Sequence, residues 1–324
     1  MADEAPMNAR VKLLIDCDPG HDDAVAILFG ARHMDLVAIT TVHGNNSLDN
    51  TTANALKLCA LAGIEAPIAV GCAGPLIGPR ADIADVHGRT GLDGATFPPH
   101  HRRPIATHAV DLIIAEAERH KGELVLAVIG PQTNVAAALI REPRLAGWLR
   151  EITIMGGSTT VGNVTPAAEF NIHCDPEAAA VVFGCGAPIR MVGLNVTQRT
   201  GFVAADIARL RASGRRTAGA IADLMTFYLA ARNRVVTSEI APMHDVCALV
   251  PFVAPELMDH VHAHVAVELA GRHTRGMTVC DLRGRRAGAS TSFGAEGAKN
   301  ALVAVDARSP ALIDLVMEAV LTYP

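Results

Sequence analysis

Aromatic side chains are scarce in this chain: they make up 3% of its 324 residues, with one tryptophan and two tyrosines. A core must therefore be built from aliphatic side chains, and half of all residues are hydrophobic. A chain rich in Ala, Val, Leu and Gly suits the buried strands and small-residue helices of an α/β protein. No apolar run reaches the ~20 residues that a membrane-spanning helix needs, so no membrane partner is expected. Basic blocks are also missing. With a net charge of −5 and no sustained Lys/Arg stretch, nucleic acid is set aside as a partner. Arg215 with Arg216, and the run from Arg283 to Arg286, read as solvated loops. The seven cysteines include no C-x-x-C pair. That excludes a zinc ribbon and leaves reduced, buried thiols, as expected of a cytoplasmic protein. Residues 1–10 carry Asp3 and Glu4 and no apolar segment; they read as a flexible extension rather than a signal peptide. No G-x-G-x-x-G follows the first strand, and neither a P-loop nor a G-x-S-x-G elbow is present. These absences argue against an NAD enzyme, a P-loop phosphohydrolase and a Ser-His-Asp hydrolase.

What the chain does have is a crowd of carboxylates. Asp16, Asp18, Asp22 and Asp23 fall within Asp-Cys-Asp-Pro-Gly-His-Asp-Asp. An apolar run at 11–15 precedes them and reads as a buried strand; a helix at 22–32 follows. The aspartates thus sit at the carboxyl end of a strand, where open α/β sheets place their ligands. Carboxylates this close repel one another unless a positive charge stands between them. A hard cation with oxygen ligands is the natural candidate.

The rest of the chain alternates. Strands are expected at 36–42, 68–70, 124–129, 152–155 and 189–192, with helices at 48–62, 109–120, 132–141 and 176–183. This rhythm predicts βαβ units and an open, mostly parallel central sheet flanked by helices. From residue 201 to about 236 the pattern turns helical, which reads as a helical insertion in the C-terminal half. Strands at 261–269 and 277–282 and a helix at 309–321 close the chain. Residues 72–107 form the longest irregular stretch, a length that loops reach mainly for function or through disorder. No linker or repeat divides the sequence, so residues 11–324 are read as one domain.

Small, amide and acidic residues recur at the strand ends: His43-Gly44-Asn45, Gly130 to Asn134, Gly156-Gly157, then Asn163, Glu169 and Asn171, and finally His244-Asp245 ahead of an apolar helix. Each has a plain alternative. Asp22 and Asp23 suit a helix start, where the dipole favours acids. Asn45 suits a left-handed turn. Thr133 suits the first turn of a helix, Glu169 a solvated loop, and His244 a structural imidazole. Their convergence on one end of the sheet is what favours a site.

At this point the chain resembles the inosine-uridine-preferring nucleoside hydrolases. The resemblance is carried by residues 16–24, by Thr41-Val-His-Gly-Asn45, Val86-His-Gly-Arg-Thr-Gly-Leu-Asp93, Gly130-Pro-Gln-Thr-Asn134, Met155-Gly-Gly157, Ala168-Glu-Phe-Asn-Ile172, Asp175-Pro-Glu-Ala-Ala179, His244-Asp245 and Gly276-Met-Thr-Val279. It implies hydrolysis of the N-glycosidic bond of ribonucleosides, with one bound Ca²⁺. By position, Asp18, Asp23, Asp245 and the Thr133 carbonyl would hold the ion. Asp22, Asn45, Asn163, Glu169 and Asn171 would bind the ribose hydroxyls, and Met155 would pack near the sugar. Asp18 is the implied general base and His244 the leaving-group acid, with His87 near the base. Relatives assemble as homodimers or homotetramers, and the same is expected here. The chain departs from the family at Val246, where many relatives carry Pro, and over residues 226–243, which surround the base. Arg232 and Asn233 there are candidates to read a base edge or equally to face solvent. The choice between purine and pyrimidine stays open. Two other readings of the acidic cluster are a phosphoester hydrolase with two metals and a non-catalytic nucleoside-binding protein.

Overall fold

A computed structural model of the protein describes residues 10–80, 86–283 and 297–324. Its first half delivers the expected alternation: β1 (Lys12–Cys17), α1 (His21–His33), β2 (Asp35–Thr41), α2 (Leu48–Ala62), β3 (Ile68–Val70), α3 (Ala109–Arg119), β4 (Leu124–Val128), α4 (Thr133–Arg141), the short α5 (Leu145–Trp148) and β5 (Glu151–Met155). Then come the short α6 (Phe170–Cys174), α7 (Pro176–Phe183), β6 (Ile189–Val192) and the short α8 (Leu194–Thr197). The helical insertion follows as β7 (Gly201–Val203), α9 (Ala204–Ala212), α10 (Arg216–Arg232) and β8 (Ile240–Pro242). The chain ends with β9 (Met258–Ala263), β10 (Val265–Val267), β11 (Thr278–Cys280), β12 (Ala301–Ala307) and α11 (Ser309–Leu321).

Eight strands make one sheet in the order β3-β2-β1-β4-β5-β6-β12-β9, parallel throughout except for β9 at one edge. The strand order reverses across the sheet between β1 and β4. That crevice, at the carboxyl ends of the strands, is where such sheets bind ligands. Both faces of the sheet are covered, which is why its strands read as unbroken apolar runs. In β1, Leu13, Ile15 and Cys17 join one core cluster and Leu14 the other. In β4, Val125 and Ala127 face one way, and Leu124, Leu126 and Val128 the other. Helices α1, α2, α10 and α11 cover the first face; α3, α4 and α7 cover the second. The insertion is not peripheral, because Leu210, Ile221, Leu224 and Met225 pack into the same cluster as β1.

Three expectations are corrected. The single strand at 261–269 is two strands: β9 pairs with β12 in the main sheet, while β10 pairs with β11. β12 itself was not anticipated, for its sequence Ala-Leu-Val-Ala-Val-Asp-Ala is nearly half alanine, a poor strand former. The apolar helix expected after Asp245 is instead a string of 3₁₀ turns at Asp245–Ala248, Val250–Phe252 and Pro255–Leu257. Pro251 and Pro255 remove the N–H groups that a continuous α-helix requires there. All seven cysteines are free, but Cys72, Cys185 and Cys280 are only half-buried. The described residues contain no helix long and apolar enough to cross a membrane. Residues 1–9, most of the expected N-terminal extension, lie outside the described residues, as do Arg285 and Arg286 of the arginine-rich run.

Candidate active site

The passage from the end of β1 to the start of α1 is short, and it turns four carboxylates inward. Asp16, Asp18, Asp22 and Asp23 are all at most 5% exposed. Asp16, still on the strand, is bound by Thr40 Oγ1 (2.6 Å) and Asn134 Nδ2 (2.8 Å). Asn134 also donates to the Thr41 carbonyl and accepts from Cys72 N. It therefore ties the ends of β1, β2 and β3 to the start of α4.

Asp18 accepts from Asn45 N at 2.6 Å through Oδ2, while Oδ1 is buried with no partner. A Cβ at Gly44 would collide with this carboxylate, so only glycine lets β2 end so close to it. Asp23 accepts from Gly20 N (2.9 Å) and Asn45 Nδ2 (3.2 Å) through Oδ2; its Oδ1 is also buried and unpartnered. Asp245, at the start of the first 3₁₀ turn, arrives from the far side. One oxygen each of Asp22, Asp23 and Asp245 lies within 4.8 Å of the others. This trio contains Asp22 in place of the Asp18 of the expected ligand set. The Thr133 hydroxyl is spent on Asp175 (2.6 Å) and His43 (3.1 Å), so only its carbonyl is left to serve.

These carboxylates strain against one another. Burial, then the charge of Asp23, raises Asp18 well above the ordinary range and raises Asp22. Burial, then Asp22 and Asp23, raises Asp245. An oxygen-only cluster with orphaned buried oxygens and suppressed ionisation is a donor set for a hard divalent cation.

Above the cluster opens a cavity of about 340 Å³, within the range of small-molecule sites. Asp22, Asn45, His87, Met155, Asn163, Glu169, Asn171, His244 and Asp245 all line it. Asp18, Asp23 and Thr133 do not; they lie deeper. Glu169 is no solvated loop charge. It is 2% exposed, caps α6 by accepting from Asn171 N and Ile172 N, and accepts from Gly157 N at 3.0 Å. Burial still raises its pKa to about 7. Asn171 spends its amide nitrogen on the carbonyls of Ile129 and Met155, joining the ends of β4 and β5. Asn163 is exposed at the rim.

The imidazoles form the opposite character of wall. His244 Nδ1 lies 2.7 Å from Thr197 Oγ1. Burial, then the charge of Arg232, lowers its pKa to about 3. The ring is therefore neutral at pH 7, unlike the charged acid that the resemblance implies. His21 meets the Asp93 carbonyl through Nε2 (2.9 Å) and His87 Nδ1 through Nδ1 (3.0 Å). A carbonyl only accepts, so Nε2 carries the His21 proton. Burial keeps that ring neutral, with a pKa near 4. His87 Nδ1 also accepts from the backbone N–H of His21 at 3.3 Å. Both rings stack against Tyr228, with centroids 5.4 Å apart.

Sequence reasoning missed His21, Gln198, Phe170 and Val164 as parts of this environment. Gln198 had a usable signal, because it follows the carboxyl end of β6 just as the other site residues follow their strands. His21 stood inside the aspartate motif and was passed over.

A sequence profile described as inosine-uridine preferring nucleoside hydrolase matches residues 13–314. The chain is similar to the pyrimidine-specific ribonucleoside hydrolase RihA of Shewanella woodyi, with 39% identity over 315 residues, covering 96% of this chain and 98% of that protein. It is 38% identical over 275 residues to the pyrimidine-specific ribonucleoside hydrolase RihB of Escherichia coli, covering 84% and 88%. Among solved structures, a plant nucleoside hydrolase superposes with a TM-score of 0.89 at 34% identity, covering 96% of this chain and 99% of that one. A purine-preferring ribonucleoside hydrolase from Gardnerella vaginalis gives 0.88 at 30% identity, with 96% and 98% covered.

Proposed function

The chain belongs to the inosine-uridine preferring nucleoside hydrolase family and is a ribonucleoside hydrolase; from that premise we propose Ca²⁺-dependent cleavage of pyrimidine ribonucleosides to ribose and free base. The observation that carries the reading is the buried carboxylate cluster under a nucleoside-sized cavity. The pyrimidine preference rests on the two pyrimidine-specific relatives at 39% and 38% identity.

Asp18, Asp23, Asp245 and the Thr133 carbonyl are the proposed cation ligands, an oxygen set of the kind Ca²⁺ prefers. The orphaned oxygens of Asp18 and Asp23 support this assignment. Bound Ca²⁺ supplies the charge that keeps these carboxylates ionised and makes water at the site more acidic. Asp18 takes the proton of the attacking water. Asp22, Asn45, Asn163, Glu169 and Asn171 hold the ribose hydroxyls, with Met155 against the sugar. Fixing the sugar in this way lets binding energy serve an oxocarbenium-like transition state. His244 and His87 meet the base, and the neutral His244 ring is proposed to offer it an N–H hydrogen bond rather than to give up a proton.

The reading is tested by ribose release from uridine, cytidine, inosine, adenosine and guanosine with Ca²⁺ present. Faster release from uridine and cytidine than from the purine nucleosides is expected. A purine-first ranking would overturn the pyrimidine assignment, and no release from any of the five would overturn the activity.

A further inference from the structure

Arg232 closes α10 and lines the cavity together with Tyr228 four residues earlier. Its charge acts on both Tyr228 and His244. Elsewhere in this protein a half-buried arginine is clamped: Arg190 Nε lies 2.6 Å from Glu151. Arg232 has no such clamp. Its Nε is sealed from solvent and donates to nothing, and among the described residues it forms no ion pair. A guanidinium offers five fixed donors and does not give up its proton near neutral pH. Its terminal N–H groups are also free of hydrogen bonds among the described residues, and they are left for whatever fills the cavity that Arg232 lines.

Resting on the ribonucleoside reading above, we propose that Arg232 is a catalytic residue that takes up the negative charge of the departing base, and so favours nucleosides whose base leaves as a carbonyl-bearing anion. The C1′–N bond breaks with its electron pair passing to the base nitrogen. In uracil or hypoxanthine that charge spreads onto ring carbonyl oxygens, which a planar guanidinium meets with paired N–H groups. The water oxygen bonds to C1′ and its proton passes to Asp18. The base leaves as an anion against Arg232 and takes its proton from solvent, to which Asp18 returns the one it accepted. Arg232 thus acts by charge fixed in place rather than as an acid. Adenine has no carbonyl and gains least.

The test is steady-state kinetics of the Ca²⁺-loaded wild type, Arg232→Gln and Arg232→Lys on uridine, 5-fluorouridine, adenosine and p-nitrophenyl riboside. Arg232→Gln is expected to lower kcat on uridine by about 10²–10³-fold, the size of losing one charge-stabilising donor. The loss should shrink on 5-fluorouridine, whose base is the better anion, and be smallest on p-nitrophenyl riboside. Arg232→Lys should recover part of the uridine loss, because it restores the charge without the fork. Equal losses on all four substrates would assign Arg232 a structural role and overturn the proposal. So would a loss confined to KM, which would make it a binding contact only. A wild type that cleaves none of the four refutes the ribonucleoside reading itself, whereas an active wild type with uniform losses in Arg232→Gln refutes the role of Arg232 alone.

Discussion

Asp18 divides its carboxylate between two tasks. Oδ2 fixes the backbone of Asn45 at 2.6 Å, and Oδ1 is buried without a partner. An Asp18→Asn change keeps the shape and removes the charge. It should lower kcat on uridine by roughly 10²–10⁴-fold, the usual worth of a general base, with a smaller change in KM. Near-normal kcat in saturating Ca²⁺ would contradict the assignment. At this scale the sequence was read well where residues cluster and poorly where function depends on burial. Four aspartates in one short motif announced themselves. Glu169 did not, because nothing local shows that a loop glutamate will be sealed and clasped by three backbone N–H groups. Nor does the string reveal that His244 is held neutral by burial and by Arg232.

Asp175 shows how the elements are bound into one floor for the site. It caps α7 by accepting from Ala178 N (3.0 Å), takes the hydroxyl of Thr133 at the start of α4 (2.6 Å), and holds Leu76 N of the long loop (2.8 Å). Asp175→Ala should therefore destabilise the protein by about 1–3 kcal/mol, from a lost cap and from buried donors left unpaired. Urea unfolding measures this, and an unchanged midpoint would show that the three bonds are dispensable. Elements in the first half were legible because each strand is a short apolar run and each helix is bounded by caps, such as Ser47 and Gly63 around α2. β12 was not legible, because an alanine-rich strand gains its stability from neighbours distant in sequence, β6 and β9. The wall formed by α10 and the residues after it was expected only through the family resemblance of residues 226–243, without its individual contacts. Val235 and Val236 read as the end of the helical stretch, whereas α10 stops at Arg232 and the fold sets them against the cavity.

Across the whole molecule, buried carboxylates link stability to pH. Burial raises Asp16 from 3.8 and Glu169 from 4.5, each to about 7. The folded state thus binds protons that the unfolded chain has released above pH 5. The stability these groups contribute is complete below about pH 4 and is lost as pH rises through about 7. Without a divalent cation, the protein should melt lower at pH 8 than at pH 5.5. Ca²⁺ should raise the melting temperature more at pH 8, where its ligands are ionised. At a hundredfold excess over Kd the gain is about 2.7 kcal/mol, or a few degrees. Scanning calorimetry at both pH values decides this, and a Ca²⁺ shift larger at pH 5.5 would contradict it. The same sheet that buries these acids also gathers them. The reversal of strand order between β1 and β4 sets the aspartate loop beside Gly130 and Thr133, at the crevice where this class of sheet receives ligands.

The most direct test is ribose release from uridine before exhaustive chelation, after it, and after Ca²⁺ is restored. The account predicts activity, its loss, and its recovery with Ca²⁺. Full activity in the chelated protein, with elemental analysis showing no bound divalent cation, would contradict it.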